Sequence, residues 1–214
     1  MSQTVALIDS GVNANHPHIL DRGGIVQSWL IEKSRDGWSA RALIEGADAV
    51  GHGTAAAAAM LDLAPNLRIE SIQVFQDRDY TEFDRILYAL DHALELKPDV
   101  CNLSLGSTNE NWNAQLHTRV PKFFELGIPL VAPAFWHGLP SYPGCLEGCC
   151  GVRVDAELER ESPQQRAIGG REDWFASPYP RELPGLPRAA NLAGVSMACA
   201  NLSGYLLRRL RDRS

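Results

Sequence analysis

Short apolar runs recur along this chain with helix-like segments between them, and no other feature restricts the fold as strongly. The runs begin at Thr4, Ile25, Ile69, Val100 and Ile128, and each has the length of a buried strand rather than of a helix. Strands that alternate with helices form parallel sheets with right-handed crossovers, and the helices cover both faces. The sequence therefore predicts an α/β fold built on a doubly wound, mostly parallel sheet in three layers.

Four segments carry helix signals. Five alanines follow a Gly-His-Gly-Thr motif, and alanine is the best helix former, so a helix is predicted to begin near His52. A second helix is predicted to begin at Thr81, after which apolar residues recur at helical spacing. A third covers 116–124, where Pro121 would kink or break it, and a last one covers 196–211.

Residues 162–187 show no period and contain five prolines. Proline lacks a backbone donor and interrupts both helices and central strands, so irregular surface structure is predicted there. The 214 residues are enough to bury one sizeable core, and we expect residues 1–214 to form a single domain.

The composition excludes several classes of function. The net charge is −6, and the one basic stretch, at 208–213, suits the last turn of a helix, where cations complement the helix dipole. Nucleic-acid binding needs a basic surface and is not expected. The sequence has neither a basic-apolar leader nor a segment of membrane-spanning length, so we expect a cytoplasmic protein without a membrane partner.

Five cysteines are present, and an odd number without a leader argues against a framework of disulfide bonds. Cys145, Cys149 and Cys150 lie close together in sequence and could contribute to a metal site, with His137 as a further ligand. Their spacing is not the usual Cys-x-x-Cys, which favours the other interpretation, free thiols in or beside a strand.

Polar residues follow two of the predicted strands at the same end. Asp9 comes directly after the first strand, and Ser104 stands at the end of the strand that begins at Val100. Ligands in parallel-sheet folds bind beyond the carboxyl ends of the strands. We therefore expect these two segments to meet at one edge of the sheet.

A serine can attack a carbonyl when a neutral imidazole takes its proton and a carboxylate orients that imidazole. His52 is predicted at a helix N-terminus, where the helix dipole disfavours the imidazolium. Ser196 also begins a helix, and the free N–H groups there can stabilise an oxyanion. Taken singly, Asp9, His52 and Ser196 suit ordinary roles in a turn, at a helix start and as an N-cap. Taken together, they predict a catalytic triad.

The surroundings of these three residues resemble the subtilisin-like serine proteases, whose triad runs in the order Asp, His, Ser along the chain. Five blocks carry the resemblance: 5–12, Gly51-His52-Gly53-Thr54, Leu63-Ala64-Pro65-Asn66, Asn102-Leu103-Ser104-Leu105-Gly106 and Gly194-Val195-Ser196-Met197-Ala198. They span nearly the whole chain. The resemblance implies a subtilisin-like fold with Asp9, His52 and Ser196 as catalytic residues and no cofactor. The longer loops with which the family typically binds calcium are not recognisable in this short chain, so we expect no structural metal.

One departure from the family bears directly on catalysis. In the family, a strand like 130–132 leads to a Gly-Asn pair whose Asn side chain is the second oxyanion donor. Here the segment reads Ala-Phe-Trp-His-Gly over 134–138, without that Asn. Removing such a donor costs about 10²–10³-fold in turnover. The indole of Trp136 or the ring of His137 could donate instead, or both could merely fill space.

The resemblance also implies where a substrate lies. An extended peptide would add as a strand along Ser104, Leu105 and Gly106. Trp136 would lie near the pocket for the residue before the scissile bond and narrow it. We expect a serine endopeptidase acting on a peptide or protein, with peptide maturation as one role. The alternative is a weak or inactive pseudoprotease that serves as a peptide-binding scaffold.

Overall fold

A nine-stranded sheet forms the centre of the computed structural model, which describes residues 2–76 and 80–212. Seven strands run parallel, and an antiparallel strand closes each edge, in the order β10-β11-β9-β6-β5-β1-β4-β2-β3. The strands, together with a separate hairpin of β7 and β8, are β1 Thr4–Asp9, β2 Ile25–Ser34, β3 Gly37–Leu43, β4 Arg68–Gln73, β5 Val100–Leu103, β6 Leu130–Pro133, β7 Phe135–Trp136, β8 Leu139–Pro140, β9 Cys150–Val154, β10 Gln164–Ile168 and β11 Arg171–Ala176.

Helices cover both faces of this sheet, so the predicted three-layer, mostly parallel α/β architecture is confirmed. They are α1 Pro17–Leu20, α2 His52–Leu63, α3 Phe83–Leu96, α4 Asn113–Leu116, α5 Val120–Glu125 and α6 Val195–Arg211. Helices α2 and α6 share one face, whereas α3 and α5 pack on the other. No helix among the described residues is long and apolar enough to cross a membrane.

Strand β1 shows how the sequence builds the two cores. Val5 and Leu7 join the cluster under α2 and α6, and Ala6 and Ile8 join the cluster under α3. Successive side chains of a strand point to opposite faces, so an apolar run without alternation fills both cores at once. The alanines of α2 are small enough to let this helix pack directly on α6. At the contact, Gly204 of α6 lies against Met60 of α2, and a Cβ added at Gly204 would lie 3.1 Å from the Met60 backbone.

The prediction of irregular structure over 162–187 was wrong in its first half. Strands β10 and β11 form a hairpin there, closed by Gly169 and Gly170 with φ of 60° and 82°, the positive values that a two-residue turn requires. The buried Asp173 interrupts the apolar pattern of β11 and obscures the strand in the sequence.

The predicted helix over 116–124 is divided in two, since α4 ends at Leu116 and α5 begins at Val120 with Pro121 in its first turn. Proline is tolerated in a first turn because the N–H it lacks has no helical partner there. The predicted final helix is present as α6. The last arginine of the basic stretch, Arg213, lies outside the described residues.

Candidate active site

Asp9 and His52 form a close pair at the carboxyl edge of the sheet. Asp9 is the last residue of β1 and is 2% exposed, and His52 is the first residue of α2. The Nδ1 atom of His52 lies 2.8 Å from Oδ1 and 2.9 Å from Oδ2 of Asp9. Because a carboxylate only accepts, Nδ1 carries the proton and Nε2 is left as the basic nitrogen.

Gly53 makes this pairing possible. A Cβ built on Gly53 would overlap the carbonyl oxygen of Gly11 and lie 3.2 Å from the Cβ of Asp9. The absence of a side chain therefore lets the first turn of α2 press against the loop that follows β1. This contact explains why a glycine directly follows the histidine in the motif.

Asp48, which the sequence analysis did not single out, holds the same two segments together. Its Oδ1 accepts from the Ser10 hydroxyl at 2.8 Å and from the Gly51 amide at 2.7 Å, and its Oδ2 accepts from the Thr54 amide at 2.8 Å. The Ser10 hydroxyl in turn accepts from the Gly53 amide at 3.0 Å. The amides of Gly53 and Thr54, in the first turn of α2, thus have partners. The only sequence signal is an acidic residue shortly before a helix.

The pKa of His52 is raised above its ordinary value. The hydrogen bond to Asp9 is the main cause, the negative charges of Asp9 and Asp48 add to it, and partial burial of the imidazole opposes it. The helix N-terminus was expected to disfavour the imidazolium, but the two carboxylates favour it more strongly. Such a histidine is a stronger base, but its neutral form, which can accept a proton, becomes populated only at higher pH.

Ser196 is held at the end of a different strand. It is the second residue of α6, preceded by Gly194 with φ 154° and ψ −178°, a conformation reserved for glycine. The Ser196 hydroxyl donates to the carbonyl oxygen of Ser104 at 2.9 Å, and within the described chain it makes no hydrogen bond to His52. The Ser104 hydroxyl lies 2.7 Å from Oδ1 of Asn102 and 3.1 Å from the carbonyl oxygen of Ser196.

The Asp9–His52 pair and Ser196 face one cleft. Asp9 and His52 line a cavity of about 210 Å³, and Ser196 lines a neighbouring cavity of about 310 Å³. Ser104 and Leu105 border both cavities. The structure therefore places the three predicted catalytic residues around a common groove, although its hydrogen bonds link only the first two.

The four predicted substrate-binding residues, Ser104, Leu105, Gly106 and Trp136, all border the larger cavity. Phe135 lies on the other face of β7, where the Arg153 guanidinium is 3.7 Å from its ring centre, and this alternation directs Trp136 to the cleft. Trp136 is 53% exposed, and its indole N–H makes no hydrogen bond to a described residue.

Ser141 is a further polar residue of this cavity that sequence reasoning missed. It is 1% exposed, its amide donates to the carbonyl oxygen of Ala134 at 2.9 Å, and its carbonyl oxygen accepts from the Cys145 amide at 2.8 Å. An isolated serine between two prolines, Pro140 and Pro143, gives no signal of a site. Only the folded chain brings it to the cavity that Ser196 also lines.

The cysteines are free thiols. Cys149 donates to the carbonyl oxygen of Leu130 at 3.0 Å, burial raises its pKa well above the ordinary value, and burial raises the pKa of Cys150 to about 11. Metal binding requires thiolates. Among residues 2–76 and 80–212, no group of three or more His, Cys, Asp or Glu residues is arranged to hold a metal ion.

Comparison with known proteins connects this geometry to a family. The sequence model described as "Subtilase family" matches residues 2–127. An intracellular serine protease of Paenibacillus polymyxa is 24% identical over 226 aligned residues, which cover 94% of this chain and 64% of that protein. The chain thus spans less than two thirds of this curated relative.

Solved structures show the same fold. Sphericase superposes with a TM-score of 0.70 at 18% identity, covering 99% of this chain and 80% of sphericase. The nisin leader peptidase NisP from Lactococcus lactis superposes with a TM-score of 0.69 at 15% identity, covering 99% of this chain and 78% of that one. The predicted subtilisin-like fold is confirmed.

Proposed function

This chain belongs to the subtilase family of serine proteases, and we propose that it is an endopeptidase that cleaves peptide bonds with Ser196, His52 and Asp9. The observation that carries the proposal is the pairing of His52 with the buried Asp9, which leaves Nε2 of His52 as a base at the cleft. A carboxylate in this position fixes the tautomer and stabilises the imidazolium that forms during reaction.

The reaction requires the Ser196 hydroxyl to leave the Ser104 carbonyl and turn to Nε2 of His52. His52 then takes the hydroxyl proton while Ser196 Oγ attacks the scissile carbonyl, and the developing oxyanion meets the free N–H groups at the start of α6. The His52 imidazolium returns its proton to the leaving amine. Water, activated by His52, hydrolyses the acyl-enzyme and restores the serine hydroxyl.

Within this activity we propose peptide maturation in the cytoplasm. Two similarities support the proposal: a curated relative is an intracellular serine protease, and NisP, which shares the fold, is a leader peptidase. Substrates of such an enzyme are peptides or proteins. The substrate would add as an extended strand along Ser104, Leu105 and Gly106, the cleft segment that follows β5.

A second function, an inactive peptide-binding scaffold, is favoured by two observations. Ser196 donates its hydroxyl proton to Ser104, and Trp136 occupies the segment in which the family carries its oxyanion Asn. A scaffold needs the cleft but neither a free nucleophile nor an oxyanion hole. The two functions share every binding residue and differ only in turnover.

A fluorophosphonate probe separates them, because it reacts only with a serine activated by its base. We expect the wild-type chain to be labelled, Ser196→Ala to be unlabelled, and Ser107→Ala, which removes another hydroxyl of the same cavity, to retain labelling. Circular dichroism confirms that each variant is folded. A folded wild-type chain that resists the probe while still binding peptides would establish the scaffold.

A further inference from the structure

Arg160 connects the two helices that carry the proposed base and nucleophile. Its side chain is only 11% exposed. Its Nη1 atom donates to Oδ2 of Asp62 at 2.8 Å, and its Nη2 atom donates to the carbonyl oxygen of Ala59 at 3.0 Å, both on α2. Its Nε atom donates to Oδ1 of Asn201 on α6 at 3.0 Å. Because a buried charge needs a counter-charge and further hydrogen bonds, these partners hold the guanidinium between the two helices.

Asn201 extends this connection to the chain that precedes α6. It is fully buried, and its Nδ2 atom donates to the carbonyl oxygens of Ser177 at 2.9 Å and Tyr179 at 2.7 Å. A carboxamide has one accepting end and one donating end of nearly the same size. The bond from Arg160 favours the orientation in which the oxygen faces the guanidinium. The nitrogen then faces the two carbonyl groups, so Arg160 fixes the orientation of the Asn201 amide.

The segment that Asn201 holds is bonded to the turn before Ser196. Pro178 lies between the two carbonyl groups, and its own carbonyl oxygen accepts from the amide of Gly194 at 3.0 Å. Gly194 has φ 154° and immediately precedes α6, in which Ser196 is the second residue. The backbone of this turn determines where the Ser196 hydroxyl points. The hydrogen bonds of Arg160 and Asn201 thus connect α2 to the turn that carries the nucleophile.

Resting on the proposed function, we infer that Asn201, oriented by Arg160, is a positioning residue that directs the Ser196 hydroxyl through Gly194. Among the described residues that line the two cavities of the cleft, neither Asn201 nor Arg160 is present. Loss of this network leaves the substrate-binding residues in place but misdirects the nucleophile. A misplacement of about 1 Å can cost about 10²-fold in rate. The effect therefore falls on kcat rather than on KM.

Asn201→Asp tests the inference with a side chain of the same size. It keeps an oxygen for Arg160, but a second oxygen replaces the donor to Ser177 and Tyr179 and is repelled by their carbonyl groups. We expect the rate of fluorophosphonate labelling and the kcat on a peptide substrate to fall about 10- to 100-fold, while KM changes less than about twofold. The pH midpoint of labelling stays at its wild-type value. Protection of the Gly194 amide against hydrogen exchange decreases, because its acceptor is no longer held.

Arg22→Lys and Arg160→Lys form a matched pair of variants. Both arginines donate to Asp62, at 2.6 Å and 2.8 Å, but within the described part of the chain Arg22 makes no hydrogen bond to α6. Each lysine keeps the charge and can still pair with Asp62, whereas a single ammonium cannot span the three acceptors of Arg160. We expect the labelling rate and kcat to fall only in Arg160→Lys, which also replaces Asn201→Asp if that variant does not fold.

Several outcomes overturn the inference. They are a wild-type labelling rate or wild-type Gly194 protection in Asn201→Asp, a loss that appears in KM alone, and equal losses of labelling in the two lysine variants. A folded wild-type chain that the probe does not label contradicts the proposed function instead. Exchange of the Gly194 amide requires no turnover, so it decides in that case too whether Asn201 holds the turn before Ser196.

Discussion

The hydroxyl of Ser196 donates a hydrogen bond to the carbonyl oxygen of Ser104, 2.9 Å away, and so points along the end of β5 instead of pairing with His52 within the described chain. In return, the Ser104 hydroxyl lies 3.1 Å from the carbonyl oxygen of Ser196. The start of α6 is thereby joined to the sheet by two bonds between the same two residues. As the proposed nucleophile, Ser196 can turn its hydroxyl to His52 only after the bond that this hydroxyl donates to the Ser104 carbonyl oxygen breaks.

Ser104→Ala removes one of the two bonds and leaves Oδ1 of Asn102 without that donor. We expect the free energy of unfolding to fall by about 1–3 kcal/mol, because a buried acceptor loses its partner. The start of α6 also becomes less firmly held, so the rate of fluorophosphonate labelling should fall several-fold. Urea unfolding and labelling kinetics measure the two effects. Unchanged labelling would show that this bond does not position Ser196.

The raised pKa of His52 predicts the pH dependence of labelling. The base must be neutral, so the labelling rate rises with pH, and its midpoint lies above the ordinary histidine value of about 6.5. Asp48→Asn removes one of the carboxylates that raise this pKa, so the midpoint moves to lower pH. It also weakens the N-terminus of α2, which costs about 1–2 kcal/mol of stability.

NMR titration of the His52 imidazole provides a second measurement of the same shift. Asp36→Asn, a change of the same chemistry on an exposed turn, should leave both the titration and the labelling profile unchanged. An Asp48→Asn midpoint equal to that of the wild type would mean that Asp48 acts only as a structural cap.

The same pair predicts how stability varies with pH. The folded pKa of His52 lies above its unfolded value, so the interaction with Asp9 contributes fully below the unfolded pKa and is lost as pH rises through the folded one. The difference in unfolding free energy between wild type and His52→Ala should therefore shrink as pH rises above about 6.5, the ordinary histidine value. Urea unfolding at several pH values measures it, and a difference that grows with pH would contradict the expectation.

Trp136→Asn should raise turnover. The change places a carboxamide in the segment where the family carries its oxyanion donor, and such a donor contributes about 10²–10³-fold. We expect an increase of at least about tenfold in kcat, because the surrounding hairpin was not shaped for the new side chain. Trp136→Asp has the same size without the N–H groups and serves as the control. Equal rates for the two variants would show that the amide does not reach the oxyanion.

Gly53→Ala gives a prediction whose sign separates two effects. Alanine is favoured over glycine in a helix by about 1 kcal/mol, so propensity alone predicts stabilisation. The added Cβ would overlap the carbonyl oxygen of Gly11, so we expect destabilisation and a His52 displaced from Asp9. The midpoint temperature of thermal unfolding and the rate of fluorophosphonate labelling should both decrease. A more stable variant with unchanged labelling would show that the contact relaxes at no cost.

Much of the fold and the site could be predicted because the signals are local. The alanine run marks α2, and the motif around His52 places this histidine in its first turn. Strands β10 and β11 could not be predicted in the same way. Asp173 on β11 is fully buried and accepts from Arg153 and Arg171 at 2.6 Å each, so its environment depends on a strand partner and is invisible in a hydrophobic pattern.

Non-local contacts also explain what was missed at the site. Asp48 acts on Ser10, which lies 38 residues away in sequence, and Ser141 fits where it does because Gly106 has no side chain. The direction of the His52 pKa shift was mistaken because the helix dipole is a local feature, whereas the bond to Asp9 joins residues 43 positions apart. Sequence reasoning identifies the groups better than it weighs their competing effects.

The direct packing of α2 on α6 has a consequence for the catalytic distance. His52, the proposed base, is the first residue of α2, and Ser196, the proposed nucleophile, is the second residue of α6. The two helices meet where Gly204 lies against Met60, about two turns along each helix from these residues. The distance between the His52 imidazole and the Ser196 hydroxyl is thus set by the spacing of two packed helices rather than by a loop. A methyl group added at Gly204 would push the two helices apart, and so change the distance between the imidazole and the hydroxyl from two turns away.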